Sequence, residues 1–453
     1  MIDFTLKEIT EITGGEYFGP AEMLNKKTAG ITIDSRNVQP GNLFVPIVGE
    51  RFDGHSFIAS AAEKGAVASL SQNDGEWNCP IVKVSSTEAA FRALAGAYRR
   101  RFDIPVIGVT GSVGKTTTKE LIASVLGERF DTLKNQGNLN NQTGVPLTLF
   151  RLEEKHGAAV VEMGTNHFGE IKSLADIVRP TIGVITNIGE SHIEYLGSRD
   201  GILREKADVF SNIGENGRAI VNGDDDKLCT LRGKINNLIT YGFGMDNHIR
   251  ALDVVDMGLE GSEFTAVYGD KSLRLKVPAP GRHMIMNAMC AMAVGLTLGM
   301  DEDEIVRGVG GYVPAAGRMD IIKGKSITVL SDAYNASPTS MKGSVDIACR
   351  AERRSVLILG DMLELGENAS MYHYQVGCHA AEAGADLLLS VGELSREINR
   401  GAKDGGVETM HFAALDELIS KLPEIIQPGD TVLVKASHCM GLEKASEYLK
   451  NNF

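Results

Sequence analysis

Apolar residues fall in short unbroken runs along much of the chain, and helical spacing takes over between them. From residue 104 onward the runs are VIGV (106–109), AAVVEM (158–163), TIGVITN (181–187) and AIVNG (219–223). Unbroken runs predict parallel strands covered on both faces, where alternation would predict a half-solvated sheet. Their alternation with helical segments predicts a doubly wound parallel sheet over 104–312, with 248–277 as an inserted β-ribbon before a helix at 283–299. The rhythm repeats in a third unit, 313–453, through SITVLSD (326–332), SVLILGD (355–361), ADLLLSVG (385–392) and DTVLVKAS (430–437).

Residues 1–103 read as a smaller α/β unit. It has a short helix ended by Gly14-Gly15, strands around the Pro40-Gly41 turn, a helix at 56–64, a strand at AVASL and a closing helix at 87–101. A chain of 453 residues exceeds what one core organises, and three compact α/β domains is the reading.

One junction carries recognisable chemistry. In IPVIGVTGSVGKTTTKE (104–120) a strand stops at a glycine-punctuated turn and a helix begins at Lys115. Such a turn aims backbone N–H groups from a helix N-terminus at an anion. Lys115 adds a cation for terminal phosphates, and the Thr116 hydroxyl is suited to Mg²⁺. The general phosphate-loop pattern would require glycine at 109, which is Val109, so this is a shortened version. It predicts a nucleoside triphosphate site.

Composition narrows the partners. A net charge of −13 argues against nucleic acid, whose phosphates need a basic surface, and Arg99–Arg101 and Arg350 with Arg353-Arg354 read as solvated helix ends. Six scattered cysteines lack C-x-x-C spacing and read as reduced, mostly buried thiols of a cytoplasmic protein. MIDFTLKEIT has no signal-peptide pattern, and the apolar stretch 284–300 is broken by Asn287, Gly295 and Gly299, so no membrane association is expected.

A Mg-nucleotide site needs oxygen ligands at neighbouring strand ends. Glu162 closes AAVVEM, and TNIGESHIEYLGS supplies Asn187, Glu190, His192 and Glu194. Lys206, in ILREKADVF, reads on its own as a helix-surface lysine. The amide-rich loop NQGNLNNQTGVP (135–146) reads equally as a substrate-facing loop or a plain turn. No N-K-x-D guanine reader accompanies the phosphate loop, and neither G-x-S-x-G nor H-E-x-x-H occurs.

The motifs together resemble a known family. TGSVGKTT is similar to the ATP loop of the Mur ligases and folylpolyglutamate synthetases. EMGTNHFGEI, TNIGESHIEYLGS, PGRHMIMNA, AGRMDII, SDAYNASPTSM and GDMLELGE follow in that family's order. The last two, with IDSRNVQPGNLFVPIVGERFDGHSF (33–57), most resemble the branch that joins D-alanyl-D-alanine to UDP-N-acetylmuramoyl-tripeptide.

The resemblance implies a UDP-sugar domain over 1–103, an ATP domain over 104–312, and a C-terminal domain over 313–453 that closes on ATP and binds the amine. It implies that Thr110, Gly111, Ser112, Val113, Gly114, Lys115, Thr116 and Thr117 hold ATP phosphates. Asn287, Arg318, Asp332 and Asn335 would hold adenine, ribose or phosphate. Thr116 and Glu162 would hold one Mg²⁺. His192 would hold a second, with Lys206 converted by CO₂ to a carbamate. Ser35 and Arg36 match the UDP-substrate region; Asn141, Lys435 and Ser437 fall on the acceptor side. Lys115, Lys206 and His192 would be the catalytic group. Met284, Ser337, Ala436 and His438 depart from the family pattern.

The implied reaction is ATP-driven amide formation through an acyl phosphate by a monomeric cytoplasmic enzyme of peptidoglycan precursor synthesis. Two alternatives stand beside it: a sibling ligase adding a single amino acid, and a phosphate-loop ATPase without ligase activity.

Overall fold

The structure, a computed structural model, describes residues 3–49, 52–315, 317–351 and 353–453. Glu50 and Arg51 of the N-terminal motif and Ala316 of AGRMDII lie outside the described residues. Three sheets organise the described residues, of five, nine and six strands.

The central sheet carries the phosphate loop. Its strands run in the order Lys271–Val277, Ser262–Tyr268, Ile249–Asp256, Leu238–Gly242, Arg218–Asn222, Ile182–Ile185, Val106–Thr110, Ala158–Glu162 and Thr132–Lys134. The stretch read as an inserted ribbon is part of this sheet. Ile249–Asp256 pairs parallel with Leu238–Gly242, and the last two strands continue antiparallel. Val106–Thr110, first in this unit's sequence, lies between Ile182–Ile185 and Ala158–Glu162. Chain connections therefore diverge on either side of its carboxyl end, the crevice where α/β sheets place ligands.

Both faces of that sheet are covered, as the unbroken runs require. Helix Arg282–Thr297 seals one face with Ile285, Met289 and Met292, all buried, each contributing about 1.5–3 kcal/mol relative to exposure. The other face shares a continuous core with the first domain, through Phe4, Phe91 and Tyr98. Arg99, read as a solvated helix end, is instead buried. Its guanidinium donates to Val178 O (3.1 Å) and Phe102 O (2.6 Å), because a helix end wedged between two domains must satisfy stray carbonyls.

In the first domain the sheet is parallel apart from the edge strand Glu16–Phe18. The helices fall at Leu6–Thr13, ended by Gly14, at Ile58–Glu63 after a short 3₁₀ turn, and at Thr87–Arg99. The C-terminal sheet runs Asp320–Lys323, Thr328–Ser331, Thr431–Lys435, Ser355–Gly360, Leu387–Val391 and Glu408–Phe412, antiparallel only at the first pair. Of the cysteines only Cys290 is buried, Cys439 is exposed, and the rest are half-buried; all are free thiols. Among the described residues no helix is long and apolar enough to cross a membrane.

Candidate active site

A cavity of about 650 Å³ opens between the central and C-terminal domains, over the carboxyl end of Val106–Thr110. Ser112 to Thr117 line it, while Thr110 and Gly111 are not part of the lining. The loop conformation rests on Gly111 at φ 151°, where a Cβ would stand 1.9 Å from Thr186 Oγ1. A clamp from the neighbouring strand end fixes the rest. Thr186 Oγ1 donates to Val113 O (2.6 Å), Asn187 Oδ1 accepts from Val113 N (2.9 Å), and Ser112 N donates to Asn187 O (3.1 Å).

Lys115 folds back over this loop, its ammonium donating to Gly111 O (2.9 Å) and Ser112 O (3.4 Å). Burial lowers its pKa, the Arg318 charge adds to the lowering, and Glu162 opposes both. Thr116 Oγ1 donates to Glu162 Oε1 (3.3 Å), which also accepts from Asn140 Nδ2 (2.8 Å). The Glu162 backbone is held by Asn135, and Lys119 Nζ stands 3.9 Å from its second carboxylate oxygen. The amide-rich loop is thus a buttress for Glu162.

Glu162 Oε2 is buried without a hydrogen-bond partner. A carboxylate oxygen left free beside a threonine hydroxyl and a phosphate loop fits Mg²⁺, which takes one or two protein oxygens and keeps waters or phosphates.

Lys206 shows the same kind of vacancy in its bonding. The side chain is fully buried, 0% exposed, and Nζ has no hydrogen-bond partner. Burial holds its pKa well below that of a free lysine, Lys115 pushes the same way, and Glu205 opposes. A neutral buried amine is the form that adds to CO₂. Neighbouring Glu205 is committed elsewhere, accepting from Gly169 N (2.6 Å) and Ile171 N (2.7 Å) at the start of helix Glu170–Val178.

His192 lines the cavity in the left-handed region, φ 62°. Its Nδ1 stands 2.5 Å from Glu364 Oε2 of the C-terminal domain, close enough for an ion pair but without the alignment of a hydrogen bond. The contact lowers the Glu364 pKa.

From the C-terminal side, Arg318, Asp332, Asn335 and Lys435 reach the same cavity. Lys435 Nζ pairs with Asp332 Oδ2 (2.5 Å) and donates to Asn335 O (3.0 Å). Arg318 lies over the Tyr334 ring, 3.9 Å from its centroid. Asn287 accepts from Thr118 Oγ1 (3.1 Å), and Asn141 lines the cavity while its Oδ1 accepts from Gly144 N (2.8 Å).

Besides Thr110 and Gly111, four expected residues lie outside the lining, the fully buried Lys206 among them. Ser437 is buried outside the lining and accepts from Leu363 N (3.0 Å). Ser35 and Arg36 sit on the first domain away from this cavity, with Arg36 forked onto Asp34.

Three of the four departures from the family pattern have local accounts. Ser337 caps helix Pro338–Cys349 in a reciprocal box with Ser340. Met284 Sδ lies 3.8 Å from Asn287 Nδ2, and His438 stacks on Tyr334 with centroids 5.5 Å apart. Asn135, Asn140, Lys119, Thr186, Tyr334 and Glu364 were not singled out from sequence. Asn135 and Asn140 had only the amide-rich composition of their loop as a signal.

Known proteins match this architecture throughout. Residues 27–112 match the Mur ligase family, catalytic domain; 109–295 the Mur ligase middle domain; and 317–438 the Mur ligase, glutamate ligase domain. The UDP-N-acetylmuramoyl-tripeptide–D-alanyl-D-alanine ligase of Escherichia coli K12 is 35% identical, covering 100% of this chain and 99% of its own. Its Bacillus subtilis 168 counterpart is 37% identical over 98% of each. A crystal structure of MurF from Acinetobacter baumannii superposes with a TM-score of 0.92 at 30% identity over 99% of both chains. MurF ligase from Thermotoga maritima in complex with ADP gives 0.86 at 26% identity, over 94% and 97%. With relatives this similar over essentially its whole length, the chain belongs to the Mur ligase family, in the branch of the UDP-N-acetylmuramoyl-tripeptide–D-alanyl-D-alanine ligases.

Proposed function

We propose that the chain uses ATP to join D-alanyl-D-alanine to UDP-N-acetylmuramoyl-tripeptide, in the cytoplasm and as a monomer, in the synthesis of peptidoglycan precursors. One observation carries the reading: the phosphate loop, the free oxygen of Glu162 and the C-terminal Arg318 meet at one interdomain cavity. A simple nucleotide hydrolase has no need of a second domain there.

The tripeptide's terminal carboxylate oxygen attacks the γ-phosphorus of ATP, and the bond to the β-bridging oxygen breaks to release ADP. The amine of D-alanyl-D-alanine then attacks the acyl carbon, loses a proton and expels phosphate. Phosphoryl transfer of this kind depends on positioning and charge more than on covalent help. With the Ser112 and Val113 N–H groups committed to Asn187, the backbone N–H groups of Gly111 and of Gly114 to Thr116 cradle the phosphates, and Lys115 exchanges its loop carbonyls for phosphate oxygens. Thr116 and Glu162 would hold one Mg²⁺, and His192, with Lys206 if carbamylated, would hold a second. Metal ions bound there would supply neutralisation of phosphate charge. Lys206 reaches its anionic form when Nζ adds to the carbon of CO₂ and releases a proton. Asn287, Arg318, Asp332 and Asn335 bind the nucleotide across the domain junction. Ser35 and Arg36 serve the UDP end, and Asn141 and Lys435 serve the acceptor side, while the buried Ser437 supports the turn beside it through Leu363 N. Closure of the C-terminal domain keeps water from the acyl phosphate.

The test is phosphate release from Mg-ATP and UDP-N-acetylmuramoyl-tripeptide with and without D-alanyl-D-alanine, with product mass measured. Release that needs both substrates and yields the pentapeptide product is expected. Release indifferent to the acceptor would indicate an ATPase, and a requirement for a single amino acid would indicate a sibling ligase.

A further inference from the structure

We propose that Glu364 is a positioning residue that couples domain closure to the second metal site, by engaging His192 from the opposite domain; this rests on the reading of His192 as a metal ligand. Glu364 belongs to the turn GDMLELGE, which closes the strand Ser355–Gly360. It has φ 60°, and His192 across the junction has φ 62°. A non-glycine residue in the left-handed region costs free energy and persists only where the surroundings impose it. Here both partners of one contact are so held, on different domains.

The turn is built to impose it. Met362 N donates to Nε2 of the buried His373 (2.9 Å), and His373 Nδ1 contacts Ala369 O (2.7 Å). Leu363 N donates to Ser437 Oγ (3.0 Å), and Ser437 N to Asp361 O (3.0 Å). The two residues before Glu364 are thus strapped to a helix and to the loop after Thr431–Lys435. The carboxylate of Glu364 is left as the group that reaches across. It meets Nδ1 at ion-pair distance, so a metal would take Nε2; a contact aligned into a hydrogen bond on closure would orient the ring and raise its basicity, as a carboxylate does on the second nitrogen of a ligating histidine. Because the carboxylate comes from the moving domain, that support exists only when the domains are together.

The experiment uses full-length wild type, Glu364→Gln, Glu364→Asp and Arg350→Ala. Arg350 contacts Asp256 across the same domain junction (3.4 Å) and lies on the surface, so its variant controls for weakened docking alone. Mn²⁺ binding is measured calorimetrically with a non-hydrolysable ATP analogue, alongside small-angle scattering and steady-state kinetics. Two Mn²⁺ sites are expected in the wild type. Glu364→Gln should weaken one of them about tenfold and lower kcat with little change in the KM for ATP. Glu364→Asp should recover part of the loss, and Arg350→Ala should leave Mn²⁺ affinity unchanged. Glu364→Gln with wild-type Mn²⁺ binding would overturn the proposal, as would an equal loss in Arg350→Ala. A wild type with one site would remove the underlying reading of His192 as well.

Discussion

Arg318, at the head of the C-terminal domain, donates from Nη2 to Thr116 Oγ1 of the phosphate loop at 3.2 Å. The guanidinium lies over the Tyr334 ring, which in turn stacks on His438, so a column of three side chains carries one domain's charge to the other's loop. A planar cation on an aromatic face keeps its direction better than a flexible ammonium does.

Arg318→Ala should therefore raise the KM for ATP about tenfold or more, a charge-assisted hydrogen bond being worth about 1.5–3 kcal/mol. Arg318→Lys should recover only part, because lysine keeps the charge and loses the plane. Initial rates at varied ATP decide both.

Gly111→Ala tests the loop itself. The added methyl would meet Thr186 Oγ1, and the φ of 151° is strained for any L side chain, at about 1–3 kcal/mol before the clash is counted. The variant should melt several degrees lower, roughly, and bind ATP poorly. Gly137→Ala, at φ 54° with open space around it, carries strain alone and should retain ATP affinity. Melting curves and nucleotide titration separate the two.

Much of this site could be read along the chain, and what could not shares one property. The strand before the loop, Lys115, Thr116 and Glu162 announce themselves by local pattern, because apolar runs and helix-start chemistry are short-range signals. Lys206 does not: in ILREKADVF it has the pattern of a surface lysine, and its burial comes from elements packed around it. Asn135 and Asn140 grip Glu162 across 27 and 22 residues, and Glu364 meets His192 from another domain. The ribbon after residue 248 was visible as strands, but its parallel pairing with Leu238–Gly242 depends on tertiary register. Arg99 and the half-buried cysteines went astray for the same reason, since composition does not say what a neighbouring domain will cover.

His373 gives a pH prediction. Burial lowers its pKa below the ordinary value of about 6.5, and its Nε2 accepts from Met362 N, so the folded form holds it neutral. The unfolded chain binds more protons between the two pKa values. The strap's stability is thus present above pH of about 6.5 and is lost as pH falls through the folded value. Wild type should exceed His373→Leu in stability at pH 7.5 by about 1 kcal/mol. The gap should narrow toward pH 5 in denaturant titrations, and a gap that stayed constant would show that His373 does not titrate with unfolding.

Lys206→Met should separate stability from activity. An amine with no hydrogen-bond partner and no exposure is costly to bury, and the lowered pKa states that cost as protons released on folding. Between the folded pKa and the unfolded value of about 10.4 the unfolded chain binds the extra proton, so wild-type stability rises with pH across that window. Methionine removes the penalty, so the variant should melt higher than wild type at pH 7, with the difference shrinking as pH approaches 10. Ligase activity should nevertheless fall at least about a hundredfold, because the methionine thioether cannot form a carbamate. Dissolved bicarbonate should raise the melting temperature of wild type and leave Lys206→Met unmoved, since only the lysine gains a stabilising reaction with CO₂. A variant both less stable and indifferent to pH would mean that Lys206 is packing rather than chemistry. A residue whose removal stabilises the fold and abolishes the reaction is retained for the reaction.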